Sequence, residues 1–151
     1  MTPSDIRWRC LPFADLGPHA LYALLRLRTE VFVMEQQCLF QDMDGADPDC
    51  HHLLGEHDGR LLAYARLVPA GLKFSEASIG RVVSDPAARG TGLGHVLMRE
   101  AVQHLQRLWG AQPIRIGAQA RLQAFYEQHG FMRDGDIYLE DGIDHIEMLR
   151  R

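Results

Sequence analysis

The residues of this chain best suited to chemistry form a glycine-rich stretch at positions 89–94 (Arg-Gly-Thr-Gly-Leu-Gly). It follows a segment rich in β-branched residues, Ser78–Ser84, which predicts a strand. It precedes an apolar-periodic segment that begins at His95 and predicts a helix. A glycine turn between a strand and a helix exposes backbone N–H groups, and the helix dipole favours negative charge there. We therefore expect the stretch to bind an anion, above all a phosphate.

The glycine spacing distinguishes this loop from two other phosphate-binding loops. A P-loop ends in Gly-Lys-Ser/Thr, whereas this loop ends in Gly94-His95-Val96 and has no lysine. A dinucleotide-binding fingerprint reads G-x-G-x-x-G near the start of a βαβ unit, whereas the glycines here alternate at every second position. Taken alone, such a loop is equally consistent with a tight turn that binds no ligand.

Two blocks of the chain resemble a known family. The pattern Arg-x-x-Gly-x-Gly, formed by Arg89, Gly92 and Gly94, resembles the acyl-CoA-binding signature of the GCN5-related N-acetyltransferase (GNAT) superfamily. Residues 118–131 resemble its other signature, a helix that carries a tyrosine and closes on Gly-Phe, and both order and separation agree with the family. Closer similarity, to the ElaA-like branch, extends over residues 21–148 and rests on segments 28–36, 79–83, 118–120 and 140–146.

The resemblance implies a CoA-dependent N-acyltransferase that uses acetyl-CoA as acyl donor and no metal. It implies direct attack of a primary amine on the thioester, without an acyl-enzyme. The backbone of one strand is expected to pair with the pantetheine arm, and the glycine loop is expected to hold the pyrophosphate. The cofactor-binding residues expected on this basis are Val82, Val83, Ser84, Arg89, Gly90, Thr91, Gly92, Leu93, Gly94, His95, Gln119 and Tyr126.

The resemblance also makes Tyr126 the residue expected to protonate the departing CoA thiolate. A thiol with a pKa near ~8.5 leaves readily, so this acid help is useful rather than essential. The general base is not identified, because Ser78 and Ile114 stand where many relatives have glutamates. Glu76 is one substitute, and the other three are counted with Tyr126 as candidate catalytic residues: Glu35, His52 and His145.

The acceptor amine is expected in a cleft bordered by several polar segments that match the ElaA-like blocks. The candidate substrate-binding residues are Glu35, His52, Arg81, Asp141 and His145. Alternatively, His52 is an ordinary histidine at a strand edge. Arg28, Arg66 and Arg81 either bind a carboxylate on the acceptor or are paired within the protein.

Two further groups of residues predict no site. The acidic segment 42–49 resembles a calcium loop, but the sixth and twelfth positions of an EF-hand, a glycine and a glutamate, are here Asp47 and Leu53. A solvated acidic loop is therefore expected. The three cysteines, Cys10, Cys38 and Cys50, form no close pair and are expected to be buried structural thiols rather than a disulfide framework.

The composition limits the class of protein. The chain has 151 residues, of which 46% are hydrophobic and 24% charged, which predicts a single domain over residues 1–151. A net charge of -4 argues against nucleic acid as a partner. No apolar run approaches the ~20 residues of a membrane helix, and residues 1–5 do not resemble a signal peptide. We expect a cytoplasmic protein that acts on an amine-bearing small molecule or peptide, as a monomer or a homodimer.

The elements that position these residues follow from periodicity. Strands are predicted at 6–11, 53–56, 61–68, 78–84, 113–117, 136–139 and 145–149, and helices at 18–31, 96–108 and 120–129. This order predicts an α/β, single-domain GNAT-like fold with a mixed, mostly antiparallel central sheet flanked by helices. The alternative functions are a catalytically weak CoA-binding sensor or interaction module, and an enzyme that acetylates a protein amine.

Overall fold

The computed structural model describes residues 2–151, which form eight strands and three α-helices. The strands are β1 (Arg7–Pro12), β2 (His51–His57), β3 (Arg60–Val68), β4 (Ser78–Ser84), β5 (Ile114–Gln119), β6 (Met132–Arg133), β7 (Tyr138–Glu140) and β8 (Ile143–Arg150). The helices are α1 (Gly17–Arg28), α2 (Leu93–Trp109) and α3 (Gln123–Glu127), and α1 continues as a π-helix over Thr29–Glu35. The predicted α/β fold with a mostly antiparallel sheet flanked by helices is confirmed.

The sheet consists of two antiparallel halves that meet at one point. One half has the order β1-β2-β3-β4, and the other has the order β5-β8-β6 with β7 also paired to β8. A parallel bridge between Ala77 and Ile114 joins the halves, and the Arg115 N–H donates to the Ala77 carbonyl at 2.9 Å. Beyond that bridge, no further β4–β5 ladder is found within residues 2–151. The two strands therefore diverge and leave a gap between their facing edges.

Alternation along the strands places a helix on each face of the sheet. Successive strand residues point to opposite faces, and Leu53 accordingly packs in the core beneath α2, whereas Leu54 packs with α1. The buried stripe of α2 has helical spacing and includes Leu97, Ala101 and Leu105. No helix in residues 2–151 is long and apolar enough to cross a membrane.

A β-bulge interrupts β4 beside the gap. Tyr64 of β3 lies opposite Val83, but Arg66, two residues on, lies opposite Gly80. Two β4 residues, Arg81 and Val82, therefore stand against one β3 residue, and Arg81 adopts a left-handed φ of 49°. A bulge of this kind bends the strand and re-aims the residues next to it. It lies where β4 forms one wall of the gap.

Two predicted helices differ from those observed. The segment predicted as one helix over 120–129 is a short 3-10 turn, Ala120–Leu122, followed by the five-residue α3. It still closes at Gly130, whose φ of 88° suits glycine. The first helix extends past its predicted end, because its π-helical continuation carries the chain to Glu35 at the rim of the gap. The two-residue strand β6 was not predicted, since it is too short to show periodicity.

Candidate active site

The gap between β4 and β5 contains a cavity of about 480 Å³. A volume of this size is typical of small-molecule sites. Its walls come from both strands, the π-helical segment, α3 and the β7–β8 turn. The predicted site residues that line it are Glu35, Arg81, Val82, Val83, Ser84, Arg89, Gln119, Tyr126, Asp141 and His145. The structure thus brings most of the predicted donor and acceptor residues into one cleft.

The chain segment after the π-helix bridges the cleft. The Gln119 side-chain amide of β5 donates to the Gln36 side-chain oxygen at 3.2 Å. The Cys38 thiol donates to the carbonyl of Asp141 in the β7–β8 turn at 3.1 Å. These contacts join the first half of the chain to the second across the gap. Sequence reasoning missed Cys38 as a cleft residue, because nothing in its spacing distinguishes it from a buried structural thiol.

The glycine loop forms the N-terminus of α2, as its sequence predicts. Gly90 and Gly92 have φ values of 81° and 83°, and no atom lies within 4 Å of the position that a Cβ would occupy at either residue. The hydroxyl of Thr91 donates to the Ala88 carbonyl at 2.7 Å, which fixes the turn. The first-turn N–H groups of a helix have no intrahelical acceptor, and the dipole of a 17-residue helix adds positive potential there. The helix begins four residues after Arg89, and Arg89 lines the cleft.

The side chains of two residues near the loop, Leu93 and His95, pack within the protein. The Leu93 side chain is buried in the core. The His95 ring packs at a tilt of 36° against Phe125, with centroids 4.8 Å apart, and its Nδ1 lies 2.9 Å from Nε2 of His129. Burial and the nearby His95 lower the pKa of His129. Neither the Leu93 nor the His95 side chain lines the cleft.

Tyr126 lines the cleft, and its hydroxyl has no hydrogen-bond partner among the described residues. Its ring packs edge-on against Phe125 and Phe131, with centroids 5.1 and 6.0 Å away. Burial raises the pKa of Tyr126 to about 12. The phenol is therefore protonated at neutral pH and has a hydrogen to donate into the cleft.

His145 also faces the cleft, and its hydrogen bonds fix which nitrogen is free. Nδ1 lies 2.7 Å from the Ile143 carbonyl, and because a carbonyl only accepts, Nδ1 carries the hydrogen. In the neutral ring Nε2 therefore keeps its lone pair. Nε2 lies 3.4 Å from a carboxylate oxygen of Glu140, which would stabilise a positive charge formed on the ring. His145 is thus suited to accept a proton.

His52 does not reach the cleft, which corrects the expectation that it is catalytic or substrate-binding. Its ring is fully buried. Nε2 donates to the Asp47 carbonyl at 2.9 Å, so Nδ1 accepts from the Tyr64 hydroxyl at 2.7 Å. Burial lowers the pKa of His52 and keeps it neutral. Glu76 does not line the cleft either, and its carboxylate accepts a hydrogen bond from Arg115 at 3.2 Å.

Two aspartates of the acidic segment, Asp42 and Asp47, are buried in an ion-pair network, so the expectation of a solvated loop is wrong for them. Arg28 is fully buried and donates to Asp42 and to Asp47, each at 2.8 Å. Arg66 is buried as well and donates to Asp44 at 2.8 Å and to Asp47 at 3.1 Å. Burial alone would raise the pKa of Asp47, but the hydrogen bond and charge of Arg28 lower it overall. We refer to Arg28, Asp42, Asp44, Asp47 and Arg66 as the aspartate–arginine network.

Arg81 connects this network to the cleft. Its Nε lies 2.8 Å from the Asp42 carboxylate, and its Nη2 donates to the Asp42 carbonyl at 2.9 Å. These contacts hold the left-handed residue of the β4 bulge. All three arginines have aspartate partners, which favours the alternative that they are paired within the protein. In the described part of the chain, no group of three His, Cys, Asp or Glu residues could hold a metal ion.

Comparison with known proteins gives consistent matches over nearly the whole chain. The family model described as Acetyltransferase (GNAT) domain matches residues 15–151. The chain is 42% identical over 147 residues to protein ElaA of Escherichia coli K12, with 96% of each chain covered. The crystal structure of that protein superposes with a TM-score of 0.90 at 41% identity, over 97% of this chain and 99% of the other. A crystal structure described as an acyl-CoA N-acyltransferase from Pseudomonas aeruginosa gives 0.92 at 51% identity, again over 97% and 99%.

Proposed function

We propose, since this chain belongs to the GNAT family of acetyltransferases and to its ElaA-like branch, that it transfers an acetyl group from acetyl-CoA to a primary amine. Members of the family are acyl-CoA N-acyltransferases in general; the acetyl donor, the acceptor and the mechanism are our proposal. The observation that carries it is the cleft between the diverging β4 and β5, with the free hydroxyl of Tyr126 facing it. The N-terminus of α2 lies close by in the chain, four residues after Arg89.

The cleft suits an extended donor that ends in a diphosphate. The backbone of Val82, Val83 and Ser84 forms an edge that faces the gap, and an extended ligand with amide groups can add to such an edge as another strand. The N–H groups at the start of α2 suit a diphosphate. Gly90 and Gly92 allow it to approach closely, because neither carries a Cβ.

The chemistry proposed is direct attack of the amine on the thioester. The amine nitrogen bonds to the carbonyl carbon, the C–S bond breaks, and Tyr126 gives its proton to the departing thiolate. In this proposal, a backbone N–H at the β4 bulge stabilises the negative charge that develops on the carbonyl oxygen. The amine loses a proton to His145 Nε2 or to Glu35, the two candidate bases that line the cleft.

The surroundings of the cleft favour a small cationic acceptor. Glu35, Glu140 and Asp141 line it with carboxylates, whereas Arg81 is paired with Asp42. The Cys38–Asp141 contact crosses the gap, and a cavity of about 480 Å³ suits a small molecule better than a protein surface. The lack of a glutamate at Ser78 and Ile114, both buried, favours a second reading, a catalytically weak CoA-binding module. Turnover of acetyl-CoA with a panel of primary amines separates the two.

The donor site is tested by Gly92→Asp. The substitution puts a side chain at a φ of 83° and a negative charge where the diphosphate is proposed to bind. We expect the affinity for acetyl-CoA, measured by titration calorimetry, to fall below detection while circular dichroism shows a folded protein. Unchanged affinity in a folded variant would refute this donor site.

The role of the acid is tested by Tyr126→Phe, which removes only the hydroxyl. We expect kcat to fall by ~10²-fold, the low end for general acid catalysis, with little change in CoA affinity. Tyr64→Phe is the matched control, because the Tyr64 hydroxyl bonds to His52 away from the cleft. An unchanged kcat for Tyr126→Phe, where chemistry limits turnover, would remove Tyr126 from the mechanism.

A further inference from the structure

The geometry points to an exchange of partners by Arg89 and Glu35 when the donor binds. We propose that Arg89 leaves Glu35 for the diphosphate of the donor, and that the freed Glu35 carboxylate then receives the ammonium group of the acceptor. Donor binding thereby prepares the acceptor site. The inference rests on the function proposed above and adds to it an order of binding and a role for one ion pair.

The ion pair spans the two sides of the cleft. Glu35 is the last residue of the π-helical segment, and Arg89 directly precedes the first glycine of the phosphate-binding loop. Arg89 Nη1 lies 2.8 Å from Glu35 Oε1, and both residues line the cleft. Among the ion pairs of residues 2–151, each of the two has only the other as partner. The pair therefore links an element of the acceptor side to the loop of the donor side.

The pair is weak enough to be exchanged. The side chains are 45% and 41% exposed, and they meet through one guanidinium nitrogen and one carboxylate oxygen. Exposed pairs of this kind contribute little, because water screens them and both side chains lose rotamer freedom. A diphosphate offers Arg89 more negative charge and bidentate hydrogen bonds. It would also be held by the N–H groups of the first turn of α2, four to seven residues from Arg89.

The exchange gives Glu35 two opposite effects. While its carboxylate holds Arg89, it competes with the diphosphate and weakens donor binding. Once Arg89 has left, the Glu35 carboxylate has no cationic partner and can bind the ammonium group of the acceptor. Another cation that lines the cleft, Arg121, donates to the Gln119 side-chain oxygen at 3.2 Å instead. Glu35 is thus free for the acceptor only after the donor has bound.

The exchange is tested by calorimetric titration of CoA into the wild type, Glu35→Gln, Arg89→Gln and the double variant. We expect Glu35→Gln to bind CoA more tightly, by up to about fivefold, the equivalent of one exposed ion pair. Arg89→Gln should bind CoA more weakly, and in its background Glu35→Gln should bring no gain. Glu30→Gln, in the same π-helical segment but paired with Arg26, is the control and should leave CoA affinity unchanged.

The outcomes separate the exchange from its alternatives. A gain of equal size in the Arg89→Gln background would come from removal of a negative charge alone and would overturn the exchange. Weaker or unchanged CoA binding by Glu35→Gln would overturn it as well. Failure of the wild type to bind CoA would instead refute the proposed function.

The acceptor half is tested with n-butylamine as a simple ammonium probe. Because coupling between two ligands is reciprocal, butylamine should bind the CoA complex up to about fivefold more tightly than the free protein. Glu35→Gln should abolish that difference. Equal binding to both forms of the wild type, or no binding to either, would overturn the role of Glu35 toward the acceptor.

Discussion

Two arginine–carboxylate pairs of this molecule have the same length and opposite surroundings. Arg28 and Asp47 meet at 2.8 Å with side chains 0% and 8% exposed. Arg89 and Glu35 also meet at 2.8 Å, but both are nearly half exposed. Distance alone therefore says nothing about what either pair contributes. Burial and the number of additional hydrogen bonds determine whether a pair is a fixed part of the fold or a contact that can change partners.

The two pairs suit different tasks. The aspartate–arginine network continues through Arg81 to the β4 bulge, and so it fixes the edge against which the donor is proposed to lie. A site edge must keep its position, and buried charges that satisfy one another are costly to disturb. The Arg89–Glu35 pair lies at the rim, where ligands enter, and groups there must be released at little cost.

The largest effect is expected from Arg28→Met. Removal of this guanidinium leaves two buried carboxylates, those of Asp42 and Asp47, short of a partner. Breaking a buried pair in this way costs about 3–5 kcal/mol. Urea unfolding followed by circular dichroism measures the loss directly.

Arg26→Met is the matched control for that measurement. Arg26 lies on the same helix, its side chain is 72% exposed, and it pairs with Glu30 one turn away. Its loss should change the free energy of unfolding by no more than about 0.5 kcal/mol. If the two variants lost equal stability, burial would not be what distinguishes the network.

The network also marks a limit of prediction from sequence. The glycine loop and the strand before it were predictable, because turn chemistry and strand periodicity are local signals carried by a few adjacent residues. The partners of Asp42 and Asp47 were not, because Arg28 and Arg66 come from a helix and a distant strand. A run of aspartates has the same composition whether water or arginine neutralises it, and only the tertiary fold decides.

The next effect separates two histidines. His52→Gln should cost about 1–3 kcal/mol in the free energy of unfolding, since it disturbs buried hydrogen bonds to Tyr64 and Asp47. It should leave turnover nearly unchanged, because His52 lies outside the cleft. His145→Gln should do the reverse and lower kcat by ~10²-fold if its Nε2 is the base. Steady-state kinetics and urea unfolding of both variants decide; loss of turnover in His52→Gln alone would contradict the placement.

The pH dependence of stability provides a second readout for His52. Its pKa is lowered in the fold from an ordinary value of 6.5, so the unfolded chain binds the proton more readily. This contribution to stability is complete above pH 6.5 and is lost as the pH falls toward the folded-state pKa, with a slope of at most about 1.4 kcal/mol per pH unit. His52→Gln should reduce the slope between pH 7.5 and 5.5. His129, whose pKa is also lowered, contributes to the slope in the same direction.

The two histidines show why the acceptor side was harder to predict than the donor side. Both were candidates because each is ionisable and lies in a polar segment that was matched to the ElaA-like blocks. Register decides between them: His52 of β2 is opposite Arg66, beside the network, whereas His145 of β8 is opposite Gln119, at the gap. A shift of one residue along a strand moves a side chain to the opposite face of the sheet and so changes what it can contact. The sequence of an isolated strand does not determine which face will be covered.

The smallest effect on stability is expected from Arg89→Met, which completes the comparison with Arg28→Met. The substitution removes an arginine at the same distance from its carboxylate as in the Arg28 pair. The Glu35 side chain is 41% exposed, however, so water solvates its carboxylate and it needs no replacement partner. The free energy of unfolding should change by less than about 1 kcal/mol. The affinity for CoA should nevertheless fall, since the lost cation is the one proposed to meet the diphosphate. Urea unfolding and calorimetry on the same preparation measure both quantities. A stability loss as large as that of Arg28→Met would mean that the rim pair is a fixed element of the fold, and an exchange of partners there would then be too costly to accompany donor binding.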